Sequence, residues 1–394
     1  MKKYEDLCTR LSCLVVFKNV LKNDEVAAFL KLLKTPDDSP EEIMKNHAEF
    51  VSLLLGYGED LSEFFADIIK KDENVYIKKL AGGREISKSL QTELENELSL
   101  FNQIIRIKSE DILKDVGDSG FLMPWENFER DLKKEYLSFA KEAHIKGYGI
   151  YNGNTMFYFD GKDIKLVKSP DPIRLSQLSG YREARKRVEE NTLALVNGKV
   201  AANVLLYGDA GTGKSSTVKA LINEYAEKGL RLVEVGKQRL MDIPMLMESL
   251  AGNPLKFIVF IDDLSFDQST DEFGALKAIL EGSAGMRPKN VAVYATGNRR
   301  QIVRQSFKDR FGDDVHAEET MQDQMALAER FGLSVGFFRP DKDQYLKIVW
   351  DLAGQYGLKN TENLELLAER FALERGGRSG RVARQLVEYL SIME

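Results

Sequence analysis

The sequence predicts an α/β protein: a parallel five-stranded sheet between helices, a C-terminal helical lid, and a mostly helical N-terminal domain with a small β-hairpin. Three observations predict it. From residue 173 onward, short apolar runs alternate with segments of helical period, the pattern of strands joined by crossover helices. Up to about residue 146 the apolar period is helical. After Pro340 that period returns and continues through the C-terminus.

At 394 residues the chain is long enough for two or three domains, and these shifts divide it at 1–170, 171–339 and 340–394. In the first part, DEVAAFLKLLK (24–34) and LSEFFADIIKK (61–71) carry apolar residues at helical spacing. TPDDSP (35–40) reads as a loop and EISKSLQTELENELSLFNQIIRI (85–107) as one long helix. LSCLVVF (11–17) is too short to span a bilayer and reads as one turn of a core helix. TMFYFDGKDIKLV (155–167) predicts two short strands around the turn residues Asp160 and Gly161, and SPDP (169–172) marks the boundary.

In the second part, ANVLLYG (202–208), LRLVEV (230–235), KFIVFI (256–261), NVAVYAT (290–296) and LSVGFF (333–338) are the expected strands. SSTVKALINEYAEKG predicts a helix closed by Gly229, and DEFGALKAILEG (271–282) another.

Composition is that of a soluble globular protein, with 43% hydrophobic and 30% charged residues. A net charge of −6 argues against a protein that coats nucleic acid without specificity, since that binding needs a positive surface. The only two cysteines, Cys8 and Cys13, lie in one apolar helical stretch and are expected to be small buried hydrophobes in a reducing cytosol. His47, His144 and His316 are far apart and join no other ligand at metal-binding spacing. No stretch approaches 18 uninterrupted apolar residues, so a cytoplasmic protein with no membrane partner is expected.

The strongest motif is GDAGTGKSS (208–216), which matches G-x-x-x-x-G-K-[ST] between a predicted strand and a predicted helix. Gly208, Gly211 and Gly213, with Asp209, Ala210 and Thr212 between them, let backbone N–H groups point inward around phosphate oxygens. The helix N-terminus adds positive partial charge. Lys214 is expected to reach the β- and γ-phosphates, and Ser215, followed by Ser216, to offer its hydroxyl to Mg²⁺.

FIVFIDDLSF (257–266) ends a buried strand on two adjacent carboxylates. Alone, Asp262 and Asp263 are as well read as solvated turn residues. Some fifty residues after a phosphate loop, Asp262 is expected to accept the metal and Asp263 to orient an attacking water. YATGNRR (294–300) ends the next strand near Asn298, which can reach the γ-phosphate if that strand lies beside the loop strand; Gly-Asn is also an ordinary turn pair. Arg330 precedes a strand in LAERFGLSVGFF (327–338), and Arg381 opens a helix in RSGRVARQLVEYL (378–390). A cation in a first helical turn is disfavoured by the helix dipole, so Arg381 is better explained by an anionic partner outside the helix. Arg375, Arg378, Arg381 and Arg384 can also be read as a solvated basic face.

With these motifs in order, residues 173–394 resemble the AAA+ P-loop ATPases, and more closely a bacterial family of AAA+-like proteins catalogued as a domain of unknown function. The stretches that carry the resemblance are NVLLYGDAGTGKSS, FIVFIDDLSF, LKAILEG, YATGNRR, ERFGLSVGF and GGRSGRVARQ. It implies ATP and Mg²⁺ as ligands, with Lys214 and Ser215 in Walker A, Asp262 as the Walker B metal acid and Asn298 as sensor 1. It further implies that Arg330 is an arginine finger aimed at a neighbouring subunit and that Arg381 is the sensor 2 arginine of the lid. QLSGYREA (177–184) resembles the segment flanking the adenine, with Leu178, Gly180 and Tyr181 as contacts.

One departure from the AAA+ pattern is the Asp-Asp pair, where most active members have Asp-Glu. Asp263 reaches about 1.3 Å less far than Glu, and a misplacement of that size can cost on the order of 10²-fold in rate.

Three functions follow. The first is a mechanochemical or switch ATPase, working as a homo-oligomer such as a ring on a macromolecular partner, nucleic acid among the options. The second is a nucleotide-gated binding module with slow or incidental hydrolysis. The third is a small-molecule P-loop kinase, in which Asn298 and the ERFG segment have no task. The segment GKQRLMDIPMLMESL (236–250) has no aromatic residue of the kind that protein-threading pores carry, which ranks threading below nucleic-acid remodelling or partner loading.

Overall fold

A computed structural model describes residues 4–36, 39–114, 116, 117, 119–264, 266, 267, 274, 276, 280, 288–297, 303, 304, 330–359 and 362–393. The chain forms two compact units, Met1–Gly153 and Asn154–Glu394. Among the described residues no helix is long and apolar enough to cross a membrane.

The first unit is helical: α1 (Glu5–Ser12), α2 (Asp24–Lys34), α3 (Pro40–Leu54), α4 (Leu61–Lys71), α5 (Val75–Ala81), α6 (Lys88–Ile104), α7 (Ser109–Leu113) and α8 (Leu132–Lys146). α2 and α4 match the expected helices residue for residue. Side-chain caps set several starts. Asp60 accepts from the Ser62 amide and Asn74 from the Ile77 amide, satisfying donors that the first turn leaves orphaned. Phe17, Phe29, Phe50, Phe64, Phe65 and Phe101 are fully buried and meet largely edge to face or tilted.

The expectation for residues 11–17 is corrected. α1 stops at Ser12, and the chain turns so that the amides of Val15, Val16 and Phe17 all donate to the buried Glu97 carboxylate, at 2.6, 3.0 and 2.9 Å. A carboxylate taking three backbone donors replaces the helical bonds those amides would have made. The same turn exposes Cys13, so only Cys8 is the buried thiol expected.

His47 is fully buried, shares a 2.7 Å hydrogen bond with Ser109 and stacks on Trp125 at 5.1 Å. Burial pushes its pKa from 6.5 down to about 4. The unfolded chain takes up this proton as pH falls through 6.5, whereas the folded unit resists until about 4. His47 therefore leaves stability unaffected above that window and lowers it by about 1.4 kcal/mol per pH unit within it, about 3 kcal/mol in all. His47→Gln is expected to remove this part of the acid slope. Urea midpoints at pH 7 and pH 4.5 check it, and an unchanged slope would place the acid sensitivity elsewhere.

The second unit is a seven-stranded sheet with a helical lid. Its strands are β1 (Met156–Phe159), β2 (Ile164–Leu166), β3 (Val204–Gly208), β4 (Leu230–Val235), β5 (Lys256–Ile261), β6 (Val291–Gly297) and β7 (Leu333–Phe337). They lie in the order β2-β1-β4-β5-β6-β3-β7. The five parallel strands expected are all present. The β1–β2 hairpin, expected with the N-terminal helices, instead extends the sheet: β1 runs parallel to β4, with Met156 opposite Leu232. Pairing satisfies the backbone groups along an edge that β4 would otherwise leave open. The unit boundary accordingly falls at Gly153, ahead of residue 170.

β5 and β6 are buried almost throughout, which explains their unbroken apolar runs. α9 (Arg182–Val196), α10 (Lys214–Tyr225) and α11 (Ile243–Leu250) accompany the sheet. The helix expected over 271–282 lies outside the described residues. The lid comprises α12 (Lys342–Tyr356), α13 (Leu364–Glu374) and α14 (Gly380–Met393) around its own core of Tyr345, Val349, Leu352, Ala368, Ala383 and Leu386. Arg378 grips Glu369 with two bonds, of 2.8 and 2.6 Å, fixing the start of α14 to α13.

Candidate nucleotide site

β3, β5 and β6 end side by side, and the loop from β3 to α10 lies in the crevice beyond those ends, where open α/β sheets bind ligands. Gly208 sits at φ 131°, and a Cβ there would overlap the Phe337 carbonyl of β7. No other residue fits this exit from the strand. Residues 210–216 of the loop line a cavity of about 520 Å³, while Gly208 and Asp209 shape the loop from outside it. Asp209 turns away and accepts the Arg339 amide at 2.8 Å.

Lys214 is buried, and its ammonium donates to the carbonyls of Gly208 (3.0 Å) and Asp209 (2.7 Å). Burial pulls its pKa down, against the opposing pull of Asp209 and Asp262. A desolvated ammonium held at a helix N-terminus is a strong site for an anion.

Asp262 follows β5 directly. Its Oδ1 accepts from the Ser215 hydroxyl at 2.6 Å, the Thr296 hydroxyl at 2.6 Å and the Asp263 amide at 3.1 Å. Thr296 Oγ1 also accepts from the Asp263 amide at 2.9 Å. Asp263 takes the left-handed conformation, φ 52°, unusual for a side-chain-bearing residue and held here by those two bonds to its amide. Its carboxylate lies 3.5 Å from the Lys237 ammonium. Sequence reasoning passes over Thr296. Its signal is the one aliphatic hydroxyl in the buried run VAVYAT, on the strand next to β5.

The other end of the cavity is apolar, lined by Leu178, Tyr181, Ile348 and Leu352. Tyr181 donates to the Phe338 carbonyl at 2.6 Å, lies 5.4 Å from the Phe337 ring, and burial raises its pKa to about 12. Gly180 sits at φ 71°, and a Cβ there would lie 2.8 Å from Ile348 Cδ1. It lines an adjoining cavity of about 790 Å³ rather than the loop cavity itself. That space is larger but is lined neither by the loop nor by Asp262 and Asp263. Arg185, also unforeseen, donates to the Leu178 carbonyl at 2.6 Å and braces this wall.

The lid closes the third side. Arg381 and Arg384 line the cavity, and the Arg381 amide donates to the Gly211 carbonyl at 3.0 Å, so α14 begins on the phosphate loop.

A family model described as protein of unknown function (DUF815) matches residues 153–393, more than half the chain and nearly the whole of the second unit. The chain belongs to the DUF815 family. Its second unit has the expected parallel sheet and C-terminal helical lid, with the hairpin added to that sheet instead of to the N-terminal helices. The large subunits of replication factor C from Staphylothermus marinus (31% identity over 117 residues) and Sulfolobus acidocaldarius (28% over 116) each match 28% of this chain. The chain spans about a quarter of those relatives' length, 27% and 26%. Among solved structures, the Thermotoga maritima RuvB Holliday junction branch migration motor is similar at 17% identity and a TM-score of 0.37, covering 55% of this chain and 63% of that one. A mutant form of the same Thermotoga maritima protein is similar at 18% identity and a TM-score of 0.38, covering 55% and 65%.

Two expected site residues of this DUF815 chain stand apart. Asn298 lies outside the described residues; the strand before it, β6, does pair with β3, Tyr207 opposite Gly297. Arg330 is half-buried and does not line the cavity. It precedes the start of β7, where Leu333 pairs with Val204, whereas the loop leaves β3 at Gly208 opposite Phe337. Four strand steps of about 3.3 Å separate those two ends of the sheet.

Proposed function

We propose that this chain binds ATP in the loop cavity and hydrolyses it to ADP and phosphate within an assembly of like subunits. The observation that carries the reading is the meeting of Ser215, Asp262 and Thr296 oxygens within 2.6 Å hydrogen bonds beside Lys214. One carboxylate and one hydroxyl at a phosphate loop suit Mg²⁺, which takes few protein ligands and completes its shell with water and phosphate oxygens. Ser215 and Asp262 would hold it, and when bound it neutralises charge on the β- and γ-phosphates.

The chain's own groups do the rest. Lys214 and the loop amides bind the phosphates, Leu178, Tyr181 and Ile348 enclose the base, and Arg381 meets the phosphates from the lid. Asp263 orients the water that attacks the γ-phosphorus, and the bond to the ADP oxygen breaks. Thr296 positions both acids. Thr296→Val keeps its shape and removes its hydroxyl, with an expected loss of about 10–10²-fold in turnover. Nucleotide affinity measured by calorimetric titration should hold within a few-fold.

A second reading, a nucleotide-gated module with slow turnover, is favoured by one observation. The Asp263 carboxylate is short and faces Lys237. The testing experiment measures phosphate release and molar mass together across protein concentration, with and without ATP, for the unaltered chain and Asp263→Asn. Turnover that rises with association and collapses in Asp263→Asn supports the ATPase. ATP-dependent assembly that survives in Asp263→Asn, with negligible turnover throughout, supports the switch. Phosphate appearing on an acceptor instead of in solution would sink both.

A further inference from the structure

Of the four arginines between 375 and 384, two are engaged within the lid. Arg375 lies over the Phe371 ring at 5.0 Å, and Arg378 holds Glu369. Arg381 and Arg384 have no ion-pair partner among the described residues, and both face the loop cavity. The carboxylate one turn further along α14, Glu388, accepts from the Tyr356 hydroxyl at 2.9 Å. Two like charges at i and i+3 repel, and Arg381 lies in the first helical turn, whose dipole also disfavours it. Arg384 is moreover half-buried beside Ile348 and Leu352. An anionic ligand in the cavity would offset this repulsion.

Position along α14 says which part of the anion. The helix starts at the Gly211 carbonyl, and three residues raise Arg384 by about 4.5 Å from that end. Arg384 shares the cavity with the apolar wall of Leu178, Tyr181, Ile348 and Leu352, and the last two belong to the lid core that also holds Leu386 and Val387 of α14. We propose that Arg384 binds the α-phosphate of the nucleotide, at the junction with the ribose, and that it serves AMP, ADP and ATP alike. The inference rests on the nucleotide reading above and adds to it a second lid arginine with a distinct task. Arg381 discriminates by the outer phosphates, and Arg384 grips the nucleoside monophosphate common to substrate and product. Such uniform binding raises affinity without favouring the transition state.

Calorimetric affinities of AMP, ADP and ATP for the unaltered chain, Arg384→Ala, Arg384→Lys and Arg381→Ala test it. Arg384→Ala is expected to weaken all three by a similar factor, about tenfold, with partial recovery in Arg384→Lys. Arg381→Ala should weaken ATP more than AMP. If Arg384→Ala binds all three normally, or loses only ATP, the inference is overturned while the proposed function stands. If the unaltered chain binds no nucleotide, both fall. Should Arg384→Ala prove unfolded by its melting curve, Arg384→Lys and Arg384→Gln carry the same comparison.

Discussion

Arg330→Ala is expected to lower ATP turnover by about 10³-fold or more, the range measured when an arginine finger is withdrawn from a phosphoryl-transfer site. The expectation comes from where the residue is and is not. It stands at the start of β7, across the sheet from the phosphate loop of its own chain, and does not line the loop cavity. A cation so placed does not reach the cavity of its own chain, so any part it takes in turnover would be played in another copy's site. A mixing experiment separates this from a local structural effect. Lys214→Ala subunits lack a working loop but keep Arg330, and Arg330→Ala subunits have the reverse defect. Mixed, they should regain a substantial part of the lost activity, because some interfaces join an intact loop to an intact arginine. Mixtures as inactive as either parent would rule out the arrangement across subunits.

Asp262→Asn is expected to reduce turnover by about 10³-fold and to raise the Mg²⁺ concentration needed for half-maximal rate, since metal-assisted charge neutralisation is worth several kcal/mol. The substitution is informative because of its hydrogen bonds. An amide oxygen can still accept from Ser215, Thr296 and the Asp263 amide, so the end of β5 keeps its shape. What is lost is the negative charge. Asp262→Ala would remove the three acceptor bonds as well, leaving the left-handed Asp263 held by the Thr296 bond alone, and is expected to be less stable besides. An Asp262→Asn protein within about threefold of normal turnover would show that the carboxylate serves the fold and not the metal.

The fold of the second unit was largely legible because its determinants are local. A phosphate loop needs glycines at fixed offsets, and strands buried on both faces are apolar without interruption. Thr296 was not legible, since a threonine at a strand end is ordinary until the register puts β6 against β5. Nor was the allegiance of the β1–β2 hairpin, which depends on a parallel partner some seventy residues away. Cys13 illustrates the opposite failure. Its neighbours LSCLVVF have helical period, but the buried Glu97 lies far off in sequence and captures their amides. Long-range polar contacts override local period where a carboxylate can take several donors at once. In the sequence Arg384 reads as one of a basic group. The engagement of Arg375 with Phe371 and of Arg378 with Glu369, and the place of Arg384 in the cavity wall, separate it from that group.

The hydrogen bond from the Arg381 amide to the Gly211 carbonyl makes the lid and the phosphate loop keep the same time. Lid departure breaks that bond, and under the nucleotide reading proposed above it opens the way out for ADP. The dwell of ADP and the opening frequency of α14 are then one clock, readable without any label on the nucleotide. Deuterium uptake at the Arg381 amide should run at the rate of ADP release, and every ligand that lengthens one interval should lengthen the other.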